Sequence, residues 1–160
     1  MASGTRPSAV MQSACVLGFD VGSRRIGVAV GSALTAGARE LAVVDVRQGV
    51  VDWARVAQLL REWQPAQLLV GDPRTLDGGD QPARQAALRF AEEALRRFAL
   101  PVHLVDERRS SLEAAARFAH ARAAGARRRR DAAMLDAMAA VIIIERWLDN
   151  PEQAQAVELP

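Results

Sequence analysis

The sequence lacks several residue types, and each absence narrows what the protein can be. Its 160 residues include one cysteine, Cys15, no lysine and no tyrosine. A single cysteine cannot form an intrachain disulfide, which fits a protein of the reducing cytoplasm. No apolar run reaches membrane-spanning length, and residues 1–14 have no apolar core of a signal peptide. We therefore expect a cytoplasmic protein with no membrane partner.

Aromatic residues and net charge are also scarce. Three tryptophans and four phenylalanines are the only aromatics, so binding of single strands by base stacking is not indicated. The net charge is only +2, yet every basic residue is arginine. Arginine stays charged and binds phosphate through two parallel hydrogen bonds. This composition allows a nucleic-acid partner without requiring one.

Half of the residues are hydrophobic, which is enough to build one folded domain with a real core. We expect that domain over residues 15–150. Residues 1–14 read as a flexible N-terminal arm and residues 151–160 as a C-terminal tail. No repeat and no long linker divides the chain.

The hydrophobic pattern predicts five strands and four helices in the order β-β-β-α-β-α-β-α-α. The strands are predicted over 16–21, 26–32, 39–46, 67–71 and 101–105. The helices are predicted over 53–63 after the N-cap Asp52, and over 82–98, 110–123 and 131–148. The first three strands favour an antiparallel meander and the last two favour parallel βαβ units. The result is an α/β fold: a mixed five-stranded sheet with helices on both faces.

Three acidic residues stand in unusual places. Asp20 lies near the end of the first strand, Glu107 follows the last strand, and Asp136 interrupts an otherwise apolar helix. Parallel strands present their carboxyl ends at one edge, so Asp20 and Glu107 can converge there, and a packed final helix could add Asp136. Gathered carboxylates repel one another unless a cation compensates them. Oxygen ligands of this kind suit Mg²⁺ or Mn²⁺.

Each acid also has a purely structural interpretation. Asp20 could be a turn residue before a glycine, and Glu107 could pair on the surface with Arg108 or Arg109. Asp136 could form a salt bridge with a distant arginine. Asp106 and Asp72 stand beside the predicted site, and the sequence leaves open whether either joins it.

Four segments resemble the YqgF/RuvX family, in the family's order, and together they cover residues 16–149. They are FDVGSRRIGVAVG (19–31), LLVGDP (68–73), VDERRSSLEA (105–114) and LDAMAAVIIIERWL (135–148). Members of this family are described as Holliday-junction resolvases and as pre-16S rRNA nucleases. The resemblance implies the ribonuclease H-like fold.

The resemblance also implies residue roles. Asp20, Glu107 and Asp136 would carry metal-dependent chemistry, and Arg24, Arg108 and Ser111 would lie near the substrate phosphate. This chain departs from the family at Asp72, where a hydrophobic residue is usual. It also has Ala133 where related resolvases carry a second acid, so a three-carboxylate site is expected.

Further arginines are candidates for contact with the nucleic-acid backbone. Arg25 lies in the turn beside Asp20, and Arg129 and Arg130 end a run of four arginines that could equally be a solvated loop.

Several functions remain open at this point. The first is a metal-dependent endonuclease on branched DNA, in recombination and repair, for which a homodimer would be natural. The second is a nuclease that processes the 5′ end of pre-16S rRNA in ribosome biogenesis. A non-catalytic nucleic-acid-binding protein is the third. An ATPase of the actin and sugar-kinase type is disfavoured, since it needs two such domains.

Overall fold

The fold is a single mixed sheet covered by helices on both faces. The computed structural model describes residues 15–35, 37–73, 82–107, 116–117 and 131–160, with the side chains of 131–136 left outside the description. The strands are β1 (Cys15–Val21), β2 (Arg25–Ser32), β3 (Gly37–Arg47), β4 (Val50–Val51), β5 (Gln67–Asp72), β6 (Val102–Asp106) and β7 (Gln155–Ala156). The helices are α1 (Trp53–Trp63), α2 (Pro82–Phe98) and α3 (Asp131–Asp149), followed by a 3₁₀ turn at Pro151–Gln153.

The sheet order is β4-β3-β2-β1-β5-β6-β7. Strands β1, β2 and β3 form the predicted antiparallel meander, and β1, β5 and β6 run parallel to one another. The five predicted strands are confirmed. Two more strands of two residues each, β4 and β7, extend the edges. A two-residue strand is too short for an alternating pattern to register.

The predicted helices over 53–63 and 82–98 are confirmed, and the last helix extends one residue beyond its predicted end. The Asp52 carboxylate caps α1 by accepting a hydrogen bond from the Arg55 backbone N–H at 3.2 Å. The predicted helix over 110–123 lies outside the described residues, apart from 116–117, which are helical. The predicted arm 1–14 lies wholly outside them.

A hydrophobic core lies on each face of the sheet. Helices α1 and α2 cover one face, where Phe19 and Val70 meet Leu59 and Phe90. Helix α3 covers the other face, where Val16, Leu69 and Val105 meet Ile143 and Ile144. The predicted arrangement of helices on both faces is therefore confirmed. Within the described residues, no helix is both long and apolar enough to span a bilayer.

The segment after α3, predicted as a tail, packs against the sheet. Strand β7 pairs antiparallel with β6 at His103 and Leu104, and the Val157 N–H donates to the Val102 carbonyl at 2.8 Å. Strand β7 pairs with β6 at these two residues, before the strand reaches Val105 and Asp106.

Candidate functional site: carboxylates at the sheet edge

The parallel strands bring acidic residues together at one edge of the sheet. Asp20 lies one residue before the end of β1, and Asp72 ends β5. Asp106 ends β6 in register with Asp72, and Glu107 follows directly. Because β1, β5 and β6 are neighbours and parallel, their carboxyl ends face the same side. The topology thus produces the convergence that the sequence predicts for Asp20 and Glu107.

Glu107 is held against the sheet rather than projected into solvent. Its backbone N–H donates to the Asp72 carbonyl at 3.1 Å, and the residue is only 7% exposed. Its carboxyl group lies over Gly71, where an added Cβ would stand 2.6 Å from Glu107 Cδ. Glycine at 71 is therefore what allows the carboxylate to approach the strand so closely.

Asp20 and Glu107 share a hydrogen bond between their carboxyl groups. Burial, followed by the charge of Asp20 and this hydrogen bond, raises the pKa of Glu107 to about 10. Asp72 raises the pKa further and Arg146 opposes it. Two acids this close cannot both ionise without compensation, so the pair holds a proton at neutral pH when no cation is bound.

These contacts decide between the interpretations of Asp20 and Glu107. Asp20 is not a turn residue, since it pairs with Gly27 inside the β1–β2 ladder. Glu107 is buried against another acid, whereas a surface ion pair with a neighbouring arginine would leave it exposed. Their catalytic and metal-binding roles stay predictions.

Asp72 is a buried acid with its own counter-ion. It is 4% exposed, and its Oδ1 accepts a hydrogen bond from Arg84 Nε of α2 at 2.8 Å. The sequence marks Asp72 as unusual but does not reveal this partner twelve positions away. Asp72 therefore adds negative charge beside Glu107 while being held by Arg84.

Asp136 lies in α3, but its side chain is outside the description, so its predicted meeting with Asp20 and Glu107 stays a prediction. Its backbone is one turn before Ala140, whose carbonyl oxygen would lie 3.2 Å from a Cβ at Gly18. Helix α3 therefore crosses β1 two residues from Asp20. Asp136 stays the predicted third acid.

The carboxylates of Asp20 and Glu107 are the type of ligand that a divalent cation prefers. These two groups alone do not form a complete metal site. Among the described side chains, no group of three His, Cys, Asp or Glu residues is placed to hold a metal. Asp20 and Glu107 supply two oxygen-bearing groups in contact, and they hold a proton where a cation could replace it. Mg²⁺ and Mn²⁺ are the ions such hard oxygen donors favour.

Two of the six predicted nucleic-acid-binding residues lie in the described part of the chain. Arg24 is exposed in the turn after β1, and its carbonyl accepts a hydrogen bond from the Val46 N–H at 2.8 Å. Arg25 begins β2 and is half-buried. Arg108, Ser111, Arg129 and Arg130 lie outside the described residues.

Arg146 is a further residue at this edge that sequence reasoning missed. Its Nη1 donates to the Asp106 carbonyl at 3.1 Å, and its charge lowers the pKa of Glu107. An arginine in the last turn of a helix is ordinarily explained by the helix dipole, so the sequence carries no distinctive signal for this contact.

Comparisons with known proteins agree with this fold. A sequence model of the RuvX family, described as Holliday junction resolvase, matches residues 14–150. A protein of Xanthomonas campestris pv. campestris (strain B100) is 62% identical over 146 residues, which are 91% of this chain and 94% of that protein. A protein of Xylella fastidiosa (strain M23) is 61% identical over 142 residues, 89% and 92% of the two chains. Both are named "Putative pre-16S rRNA nuclease".

A solved structure, T. thermophilus RuvC in complex with Holliday junction substrate, has a TM-score of 0.53 and 20% identity to this chain. The similarity covers 89% of this chain and 98% of that one. At this identity the likeness concerns the fold alone, and it agrees with the predicted ribonuclease H-like class.

Proposed function

Since the chain belongs to the RuvX family of nucleases, we propose that it is a divalent-metal-dependent endonuclease that processes the 5′ end of pre-16S rRNA. The observation that carries this proposal is the contact between the buried carboxyl group of Glu107 and the half-buried carboxyl group of Asp20 at the sheet edge. The choice of RNA rests on the name of the relatives that are 62% and 61% identical. Such processing would take place in the cytoplasm.

In the proposed mechanism, Asp20, Glu107 and Asp136 hold Mg²⁺ or Mn²⁺. When bound, the ion supplies an activated water for attack on phosphorus and stabilises the leaving oxygen. The hydrogen bond from the Glu107 N–H to the Asp72 carbonyl of β5 and the absence of a side chain at Gly71 hold the Glu107 carboxylate in place. The exposed guanidinium of Arg24 binds a backbone phosphate and so positions the strand without reading its sequence. Cleavage leaves a 3′-hydroxyl and a 5′-phosphate.

Cleavage of four-way DNA junctions is the second candidate. The description of the matching family model as Holliday junction resolvase favours it. Two symmetric cuts would require two copies of the site, so this function also predicts a homodimer.

One assay separates these candidates from each other and from a non-catalytic binder. Purified protein is given a 5′ fragment of pre-16S rRNA or a synthetic four-way junction, with Mn²⁺, Mg²⁺ or a chelator. We expect ion-dependent cleavage of the RNA. Asp20→Asn should reduce it at least about 100-fold, the upper end of what losing a residue that supports a metal ligand costs.

Asp52→Asn is the matched control. It makes the same chemical change at the exposed N-cap of α1, where asparagine caps as well as aspartate. Equal cleavage by the Asp20→Asn protein and the wild type would contradict the proposed site. Cleavage of the junction alone would favour the second candidate, and tight RNA binding without ion-dependent cleavage would favour the binder.

A further inference from the structure

A cavity of about 400 Å³ opens beside the carboxylate edge. It lies between the end of β6, beyond the pairing with β7, and the C-terminal end of α3, and the turn after α3 forms its outer wall. Asp106, Arg146, Trp147, Asp149, Asn150 and Gln153 are among the residues that line it. The volume falls in the range of about 300–1,000 Å³ typical of pockets for small ligands.

Contacts with the rest of the fold hold the residues that line this cavity in place. The Arg146 guanidinium binds the Asp106 carbonyl and so occupies the edge position that a longer β7 would take. Trp147 packs against the core under α3, which fixes the indole while another part of it lines the cavity. The backbone N–H of Asn150 donates to the Arg146 carbonyl at 3.0 Å, and the Gln153 N–H donates to the Asn150 carbonyl at 3.1 Å.

We propose that this cavity binds an unstacked nucleobase of the RNA substrate, from a nucleotide that flanks the cleaved bond. This inference rests on the proposed function and adds a specificity pocket to it. RNA is recognised in sequence mainly through bases removed from the stack, which lie against aromatic side chains and hydrogen-bond through their edges. Trp147 supplies the aromatic surface, and Asn150 and Gln153 supply amide groups.

Free hydrogen-bonding capacity supports a ligand of this kind. The side chain of Asn150 makes no capping hydrogen bond to the turn that it begins. Within the described part of the chain, the side-chain amides of Asn150 and Gln153 form no hydrogen bond, and both residues are exposed. Each amide offers donors and an acceptor to the edge of a base.

The charges favour a base over a phosphate. Among the described residues that line the cavity, Arg146 carries the positive charge, and the negative charge comes from Asp106 and Asp149, since Asp72 is paired with Arg84. A phosphate would be repelled by these carboxylates, whereas the amino group of guanine, adenine or cytosine can donate to a carboxylate oxygen. Uracil has no amino group, so we expect it to be the least favoured base.

The position of the cavity ties it to the cleavage site. Asp106 immediately precedes Glu107, and Asp72 both lines the cavity and raises the pKa of Glu107 through its charge. A base seated there therefore belongs to a nucleotide close to the bond at which the ion acts. Binding of that base would determine which phosphodiester bond is cleaved.

The test is a scan of an RNA that the wild-type protein cleaves. Each of the two nucleotides on either side of the cut is replaced in turn by an abasic unit, and kcat/KM is measured. We expect one position at which loss of the base lowers kcat/KM about tenfold, as expected for losing one or two hydrogen bonds and a stacking contact. Uridine at that position should lower kcat/KM less than the abasic unit does, because uracil can still stack on Trp147 but has no amino group to donate to a carboxylate.

The Asn150→Ala/Gln153→Ala protein should lose a smaller factor on the intact RNA, because Trp147 remains, and nothing further on the abasic RNA. Gln58→Ala, an exposed amide on α1, is the control and should behave like the wild type. Abasic units tolerated at all four positions, or equal losses by the double variant on intact and abasic RNA, would overturn the pocket while leaving the nuclease intact. If the wild type cleaves no nucleic acid, both proposals fail.

Discussion

The two faces of the sheet are built from the same strands but packed in different ways. Beneath α1 and α2, aromatic rings form a cluster: Phe19 and Phe90 have centroids 5.2 Å apart, and Trp53 stacks on Phe90 at 5.0 Å. Beneath α3 the strands carry glycine where the helix crosses, and an added Cβ at Gly18 would lie 2.7 Å from Ile144 Cγ1. Large side chains fill the core beneath α1 and α2. Beneath α3, the helix itself lies close to the strands.

The aromatic face contributes to stability, whereas the α3 face holds the carboxylates of the proposed site. Successive residues of a strand point to opposite faces, so Phe19 joins the aromatic core while Asp20 lies on the side of α3 with Glu107. On this face α3 can come close to the carboxylates because the strands carry glycine where the helix crosses them. We therefore expect changes on the two faces to affect different measurements.

Glu107→Gln should give the largest effect and the sharpest contrast. Cleavage should fall at least about 100-fold, as for Asp20→Asn, because a neutral amide is a poor ligand for a cation. The stability of the metal-free protein should instead increase. The pKa of Glu107 is raised from an ordinary value of 4.5 to about 10, so the folded state keeps a proton that the unfolded chain releases between these pH values.

The wild-type protein without metal should therefore lose stability as pH rises from about 5 to 10. Glutamine has no proton to lose, so the variant should unfold at a higher temperature at pH 8, by roughly 2–4 °C for each kcal/mol gained. Thermal unfolding in a chelator, at pH 5 and pH 8, measures this. A variant that is less stable than the wild type at pH 8 would contradict the proton shared with Asp20.

Phe90→Ala should give the largest loss of stability on the aromatic face. Phe90 is buried and contacts both Phe19 and Trp53, so its truncation should cost about 3–5 kcal/mol. Cleavage per folded molecule should stay near the wild-type value at a temperature where the variant is folded. Denaturant unfolding and kcat measure the two quantities, with exposed Val50→Ala as the control. A large loss of kcat would show that the two faces are coupled.

Gly71→Ala should give a smaller loss of stability together with a loss of activity. The new methyl group would stand 2.6 Å from both Glu107 Cδ and Ile143 Cδ1. Overpacking of this kind costs about 1–3 kcal/mol. Displacing the carboxylate should lower kcat by up to about 100-fold, since a shift of 1 Å at a reacting centre can do so.

Gly18→Ala is the comparison for that variant, because its methyl group meets Ile144 rather than a carboxyl group. We expect a similar loss of stability and a much smaller loss of kcat. Equal losses of kcat in the two variants would mean that activity depends on where α3 sits and not on Glu107 alone.

Much of this architecture could be predicted from the sequence. Alternating and helical patterns located the five long strands and the helices beside them, and the rule for parallel strands brought Asp20 and Glu107 to one edge. Strands β4 and β7 could not be found, because two residues carry no period. The acids could be recognised because a carboxylate at the end of an apolar run requires an explanation.

What could not be predicted were the contacts between distant segments. The partner of Asp72 is Arg84, one of many arginines, and nothing local distinguishes it. Arg146 and the cavity beside it depend on where the end of α3 meets the edge of β6. Such contacts depend on packing angles and strand register, which the hydrophobic pattern of a sequence does not determine.

The order of the elements along the chain has a consequence for synthesis. Strand β1 leaves the ribosome well before α3, which covers the glycine-bearing face of β1. At about 5–20 residues per second, roughly ten seconds separate the two. During that interval the nascent polypeptide exposes the apolar surface of β1 that α3 later covers, and Asp20 is present without the Asp136 that is predicted to join it. The proposed nuclease is therefore incomplete until α3 has been synthesised and has packed against β1.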